Sequence, residues 1–287
     1  HWLARTVCFS KTPQGQGGHG RACEVCMALH HVAVCFIILS IFAPSRAAAQ
    51  AASVDLELVL AVDVSGSIDA RETALQRGGY LAAIRSPEFA AAVGAGTLGK
   101  IRLTYVEWAG DGAHQVTVPW RLIDGPETAR AFAEELAGKP AARFRWGTSI
   151  SSVLRFSAGL FEGSGSRQVI DISGDGPNNV GGTVTVARDA VVAQGIVING
   201  LPMLLKPAQV LPPLDRYFVD CVIGGEGSFS LPVTSIDSLA EAIRMKLIRE
   251  LLSSDANDAG RIIPAATEPP TDCLAGEKER ARRQDQY

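Results

Sequence analysis

The sequence lacks an excess of charge of either sign. With 27 Lys and Arg against 30 Asp and Glu, a formal net charge of −3, it has no basic field to draw it to nucleic acid or an anionic membrane surface. Its one dense basic cluster, Lys278, Arg280, Arg282 and Arg283, is interleaved with Glu277, Glu279 and Asp285 and reads as a solvated surface. There is no GxxxxGK phosphate loop, no Ser-His-Asp order and no Cys in a nucleophilic setting, so the common hydrolase and nucleotide signatures are missing. No internal repeat and no linker divides the chain. Long apolar runs are missing too. Within Met27–Ala43 the apolar core, Val32–Ala43, is too short for a comfortable bilayer span, and no other stretch qualifies.

Cysteine is concentrated at one end. Cys8, Cys23, Cys26 and Cys35 all precede residue 50, where the apolar core is followed by Arg46-Ala47-Ala48-Ala49-Gln50. A short apolar segment followed by an A-x-A pattern reads as a secretory signal peptide, with cleavage expected after Ala49. Cys23-x-x-Cys26 has redox or metal spacing but no second pair. The mature chain keeps Cys221 and Cys273, which could pair in an oxidising compartment; the sequence leaves that open. The expected location is extracytoplasmic, periplasmic or secreted, with no membrane span in the mature chain.

What is present is an alternation. Apolar, β-branched stretches at Asp55–Val62, Ile101–Trp108, His114–Ile123, Gln168–Ser173, Gly195–Leu201 and Ser228–Val233 read as strands. Between them lie helical patterns. One opens at Asp69, with Glu72 at the capping-box position. Others cover Pro126–Ala137, Ser149–Phe161, Thr183–Gln194, Leu214–Val219 and Ile236–Leu252. Gly110-Asp111-Gly112 joins the second and third strands as a hairpin-like turn. This alternation predicts one α/β domain over residues 54–253, doubly wound around a mostly parallel sheet with helices on both faces. Residues 254–287, rich in Asp, Ala, Pro, Glu and Arg, read as a disordered charged tail.

The informative stretch is LVLAVDVSGSID, Leu58 to Asp69. An apolar strand breaks into Asp63, Ser65 and Ser67 at every second position, so one carboxylate and two hydroxyls can face one point. Gly66 lets the loop turn without a side chain in the way. The set is all oxygen, which suits a hard cation, Mg²⁺ with Mn²⁺ or Ca²⁺ as alternatives, rather than Zn²⁺. Capping of the following helix would account for Asp69 alone, not for Asp63. Ligands in such sheets lie beyond the carboxyl ends of the strands, where two later loops carry Thr148 and Asp175.

D-x-S-x-S after an apolar strand, a Thr at 148 and an Asp-Gly at Asp175-Gly176 together resemble the von Willebrand factor type A domain family. TYVEWAG (Thr104–Gly110), WGTSISSVL (Trp146–Leu154) and ISGDGPNN (Ile172–Asn179) are similar to a group of exported bacterial proteins of that kind with no assigned function. The resemblance implies a metal-ion-dependent adhesion site. Ser65, Ser67 and Thr148 would contact the cation through hydroxyls, and Asp63 and Asp175 directly or through water. The open position would take an acidic side chain from a partner protein. Gly174 departs from the family pattern, which has Thr or Ser there. The expected function is metal-dependent protein binding, not catalysis. One alternative is a metal-dependent phosphohydrolase, which needs a second Asp where Ser65 stands. Another is a metal-free envelope scaffold of the same fold. Glu107 and Trp108 read as packing residues, Arg143, Arg145 and Trp146 as rim or loop, Asn178 and Asn179 as shaping the loop after Asp175, and His114 as an ordinary strand residue.

Overall fold

Strand β1, Leu56–Asp63, is buried along its whole length, as a central strand covered on both faces must be. The structure, a computed structural model, describes residues 53–144, 147–162, 166–205, 212–252 and 271–285. The expected leader, residues 1–49, lies outside them, as do Arg145 and Trp146. Five strands form one sheet in the order β3-β2-β1-β4-β5. Here β2 is Ile101–Trp108, β3 His114–Ile123, β4 Arg167–Gly174 and β5 Val197–Pro202. β1 pairs in parallel with β2 and β4, and β4 with β5; only edge strand β3 runs antiparallel, as the hairpin partner of β2.

The period-two alternation of β1 sorts its side chains to two cores. Leu56, Leu58, Leu60 and Val62 pack on one face with α1 (Ala70–Ile84), α2 (Pro87–Gly94), α3 (Pro126–Ala137) and α7 (Leu239–Leu252). Val59 and Ala61 pack on the other with α4 (Ile150–Ala158), α5 (Val184–Val192) and α6 (Leu214–Tyr217), which continues as a π-turn over Phe218–Val222. The doubly wound, mostly parallel architecture read from the alternation is what the chain adopts.

Two expectations need correction. Ser228–Val233 forms no strand of its own; it touches the sheet through single bridges, Gly200 to Ser230 and Met203 to Val233. Pro232 lacks the N–H that a continuous ladder requires. Of the expected disordered tail, residues 254–287, only 271–285 are among the described residues, and these are ordered. Residues 275–284 form a helix, α8, and Cys273 is disulfide-bonded to Cys221. Composition alone could not foresee this, because the segment owes its order to the covalent link and to two small buried residues, Ala275 and Gly276.

Helices α1 and α7 approach closely because residue 79 is Gly. A Cβ there would lie 2.7 Å from Ile243 Cδ1 and 3.3 Å from the Ala240 backbone. Gly79→Val is expected to destabilise the fold by about 1–3 kcal/mol through overpacking. A fall in the urea midpoint with an unchanged slope checks this, and an unchanged midpoint would refute it.

Candidate metal centre

Parallel pairing aligns the carboxyl ends of β1, β2 and β4, with Asp63 level with Trp108 and Val62 with Ser173. Chain connections leave β1 toward β2 on one side and reach β4 on the other. The crevice above β1 and β4 is therefore the topological switch point. Asp63 stands at its floor, fully buried. Its Oδ1 accepts the Ser65 amide at 2.7 Å, which curls the loop over the carboxylate. Ser65 Oγ lies 3.1 Å from Ser67 Oγ, and the Ser67 hydroxyl donates to Asp175 Oδ1 at 2.6 Å. Hydrogen bonds thus link Asp63, Ser65, Ser67 and Asp175, the first through the Ser65 amide, though Asp175 is 112 positions from Asp63 in sequence.

Asp69 lies just outside this cluster and caps α1. Its side chain accepts the amides of Arg71 and Glu72 while Glu72 returns a bond to the Asp69 amide. Thr148 joins the same loop by main-chain contacts. Its amide donates to Asn179 Oδ1 at 2.9 Å and its carbonyl accepts the Asn179 amide at 2.8 Å. Among the described residues the Thr148 hydroxyl has no hydrogen bond to the other four side chains, and Thr148 itself is buried.

Asp63 Oδ2 is buried without a hydrogen-bond partner. Gly174 allows this approach: a Cβ there would lie 3.2 Å from that oxygen and 3.5 Å from Trp108 Cζ2. The departure from the family pattern at 174 therefore coincides with a tight junction of Asp63, Trp108 and Phe218. Burial, and then the negative charge of Asp175, push the Asp63 carboxyl up to about 8. The Ser65 hydroxyl and nearby amides pull the other way without bonding Oδ2. A lone buried carboxylate beside a second one is costly unless protonated or matched by a cation. Among the described residues, no three or more His, Cys, Asp or Glu side chains gather as a metal cluster. This cluster has only two carboxylates, the rest of its donors being hydroxyls. An all-oxygen, hydroxyl-rich set with one orphaned anionic oxygen fits a hard divalent cation that keeps water in part of its shell.

The other candidates have structural roles. Glu107 is buried, bonded by Arg77 at 3.1 Å, by the Thr117 hydroxyl and by the Ala142 amide. Trp108 is fully buried beside Asp63. His114 opens β3 and stacks on Phe156, ring centroids 4.0 Å apart. Sequence reasoning understated Asn178. It is fully buried, its Oδ1 accepts the Ser151 amide, its own amide donates to Tyr217 Oη, and its Nδ2 donates to Glu277 Oε1 at 2.7 Å. The double Asn after Asp175-Gly176-Pro177 was the available signal, because Asn side chains organise turns.

The sheet order and the helices on both its faces give the chain the fold of a von Willebrand factor type A domain. The chain belongs to the family described as Protein of unknown function (DUF1194), whose model matches residues 53–255. No curated protein matches the sequence. Among solved structures, the pilus adhesin SpaC from Lactobacillus rhamnosus GG in its open conformation is similar at 13% identity and TM-score 0.51, over 70% of this chain and 31% of the adhesin. Proximal thread matrix protein 1 from the mussel byssus, with a zinc-occupied MIDAS motif, is similar at 14% identity and TM-score 0.51, over 69% of this chain and 46% of that protein. The chain thus spans less than half the length of either, and at these identities the likeness is one of fold.

Proposed function

We propose that this chain is an exported, divalent-cation-dependent protein-binding module. Asp63, Ser65, Ser67, Thr148 and Asp175 hold Mg²⁺, or Mn²⁺ or Ca²⁺ in its place. The cation's remaining position takes a carboxylate from a partner protein. The observation that carries this reading is the buried, unpartnered Asp63 Oδ2 beside a second carboxylate and two hydroxyls. The zinc-occupied motif of the mussel protein and the adhesive role of SpaC support the class of function. Hydroxyl and water ligands leave the charge of the cation less neutralised than an all-carboxylate cage would, so it retains attraction for an external anion. Catalysis is disfavoured at the same point, because the residue two after Asp63 is Ser65, whose amide is already spent on Asp63 Oδ1 and whose hydroxyl is no acid/base.

Export is supported by the Cys221–Cys273 disulfide, which suits an oxidising compartment. No helix among the described residues is long and apolar enough to cross a membrane. Titration calorimetry of the purified chain with Mg²⁺ and Mn²⁺ should give one site per chain, and an envelope extract should yield a partner that EDTA releases. Capture that persists in EDTA, or no heat of binding with either cation, would count against the reading.

A further inference from the structure

The segment after the domain is packed against it at Ala275 and Gly276. The Cys221–Cys273 disulfide ties it to the π-turn after α6. Tyr217 Oη, which accepts the Asn178 amide, also lies 3.4 Å from the Cys273 carbonyl. The Thr271 hydroxyl bonds the Asp220 carboxylate. Beyond the disulfide, Ala275 and Gly276 are buried, and Gly276 sits so close to the loop that a Cβ there would overlap the Asn178 carbonyl oxygen, at 2.1 Å. One residue on, Glu277 Oε1 accepts from Asn178 Nδ2 at 2.7 Å. A turn further, Arg280 reaches the second site loop, where a Cβ on Gly147 would lie 3.3 Å from its Nη1.

These contacts converge on two residues, each next to a proposed ligand or tied to one. Gly147 directly precedes Thr148. Asn178 lies three residues after Asp175 and directly before Asn179, whose main and side chains clasp Thr148. Asn178 also holds the first turn of α4 through the Ser151 amide. The Asp175 loop follows β4 and the Thr148 loop joins α3 to α4; they meet through these asparagines and through the Ser149 hydroxyl, which donates to the Val180 carbonyl at 3.0 Å, so what fixes Asn178 helps to fix their spacing.

We infer that residues 271–285 are an intramolecular brace, latched by the Cys221–Cys273 disulfide, in which Glu277 is a positioning residue that acts through Asn178 to hold the Asp175 and Thr148 loops at ligating distance. The brace reaches the loops from the Asn178 and Gly147 side. Its role is therefore to preorganise the site rather than to occupy it. Outer-shell partners of this kind typically change metal affinity by about 10–100-fold when removed. The effect on affinity rests on the metal reading above; the effect on loop order does not.

The test uses the full chain in two forms of lesion. Glu277→Ala keeps the disulfide and loses the bond from Asn178 Nδ2, while C221A/C273S loses the covalent tether. Both are expected to weaken Mg²⁺ binding about 10-fold by calorimetry. Without metal, both are expected to speed hydrogen exchange at the amides of Thr148, Ser151, Asn178 and Asn179, with no change at the β1 amides of Leu58–Leu60. Glu277→Gln, which keeps an acceptor for Asn178 Nδ2, should stay within about 2-fold of wild type, since an uncharged acceptor preserves the bond. Loop amides as protected in Glu277→Ala and C221A/C273S as in wild type would overturn the brace. So would loss of protection spread equally over β1. Absence of Mg²⁺ binding in wild type would overturn the metal reading, and the exchange data would still decide the brace.

Discussion

Asp63→Asn is expected to abolish cation-induced stabilisation while leaving the cation-free fold at least as stable as wild type. The two halves have one cause. Asp63 is fully buried, its Oδ2 lacks a partner, and Asp175 adds negative charge nearby. Without a cation the carboxylate is a liability, so a neutral amide of similar shape removes a desolvation cost. With a cation it is the innermost anion of the site. A ligand at 100 times its Kd stabilises the folded state by about 2.7 kcal/mol. For a domain of this size that is a rise in Tm of roughly 5–10 °C. Differential scanning fluorimetry with Mg²⁺, with Mn²⁺ and with EDTA would read it. A Mg²⁺-induced rise of equal size in Asp63→Asn would sink the site.

The same residue sets a pH dependence in EDTA. Its carboxyl is raised from 3.8 to about 8 by burial and by Asp175, so the folded chain binds that proton more tightly than the unfolded chain. The stability it contributes is present below the unfolded value and is lost as pH rises through the folded one. In EDTA, wild type should therefore lose stability relative to Asp63→Asn between 3.8 and about 8. A constant difference between the two across that range would contradict this.

Lys246→Met is expected to be among the most damaging single changes outside the site. Lys246 on α7 is buried against the sheet, with Nζ 2.6 Å from Asp171 Oδ1 on β4 and 2.7 Å from Glu250 Oε1. All three are essentially inaccessible to water. Burial works against the ammonium, yet Asp171 and Glu250 hold its pKa above the ordinary value. Burial, with the nearby Glu250, pushes the Asp171 carboxyl up to about 6 even with Lys246 beside it. Glu250 has further support from Asn199 Nδ2 at 2.6 Å, but neither Asp171 oxygen makes a well-directed hydrogen bond. Removing the cation strands two buried carboxylates, at a cost of about 3–5 kcal/mol. The expected fall in Tm is about 10 °C or more. Adding Asp171→Asn and Glu250→Gln should recover part of the loss, because the remaining groups are then uncharged. A single variant within about 1 kcal/mol of wild type by denaturant unfolding, where breaking a buried pair should cost several times that, would show the triad to be weakly coupled.

How much of this was legible in the sequence depended on whether the determinant was local. The end of β1 at Asp63 and the hairpin of β2 and β3 follow from period-two patterning and a Gly-Asp-Gly turn. The start of α1 follows from Asp69 and Glu72, which close a capping box within four residues. Lys246 was opaque for the opposite reason. On a helix it reads as one more solvated charge, and only the packing of α7 over β4 carries it into the core.

The candidate site divides along the same line. Its residue types and order were readable, because a D-x-S-x-S loop must place its oxygens on one side of an extended backbone. That Ser67 reaches Asp175 at 2.6 Å, and that Thr148 is bound to the same loop through Asn179, depended on how β4 and α4 dock beside β1. The role of the C-terminal segment was hidden most completely. Ala275–Gln284 has no apolar stripe to announce a packed helix, so by composition alone it belongs in water. By itself the sequence determined the doubly wound frame and the oxygen-rich character of the crevice, since patterning and capping act over a few residues. The tertiary structure alone decided which distant oxygens meet, which charges are buried and what the tail rests on, since each depends on elements far apart in sequence being brought face to face.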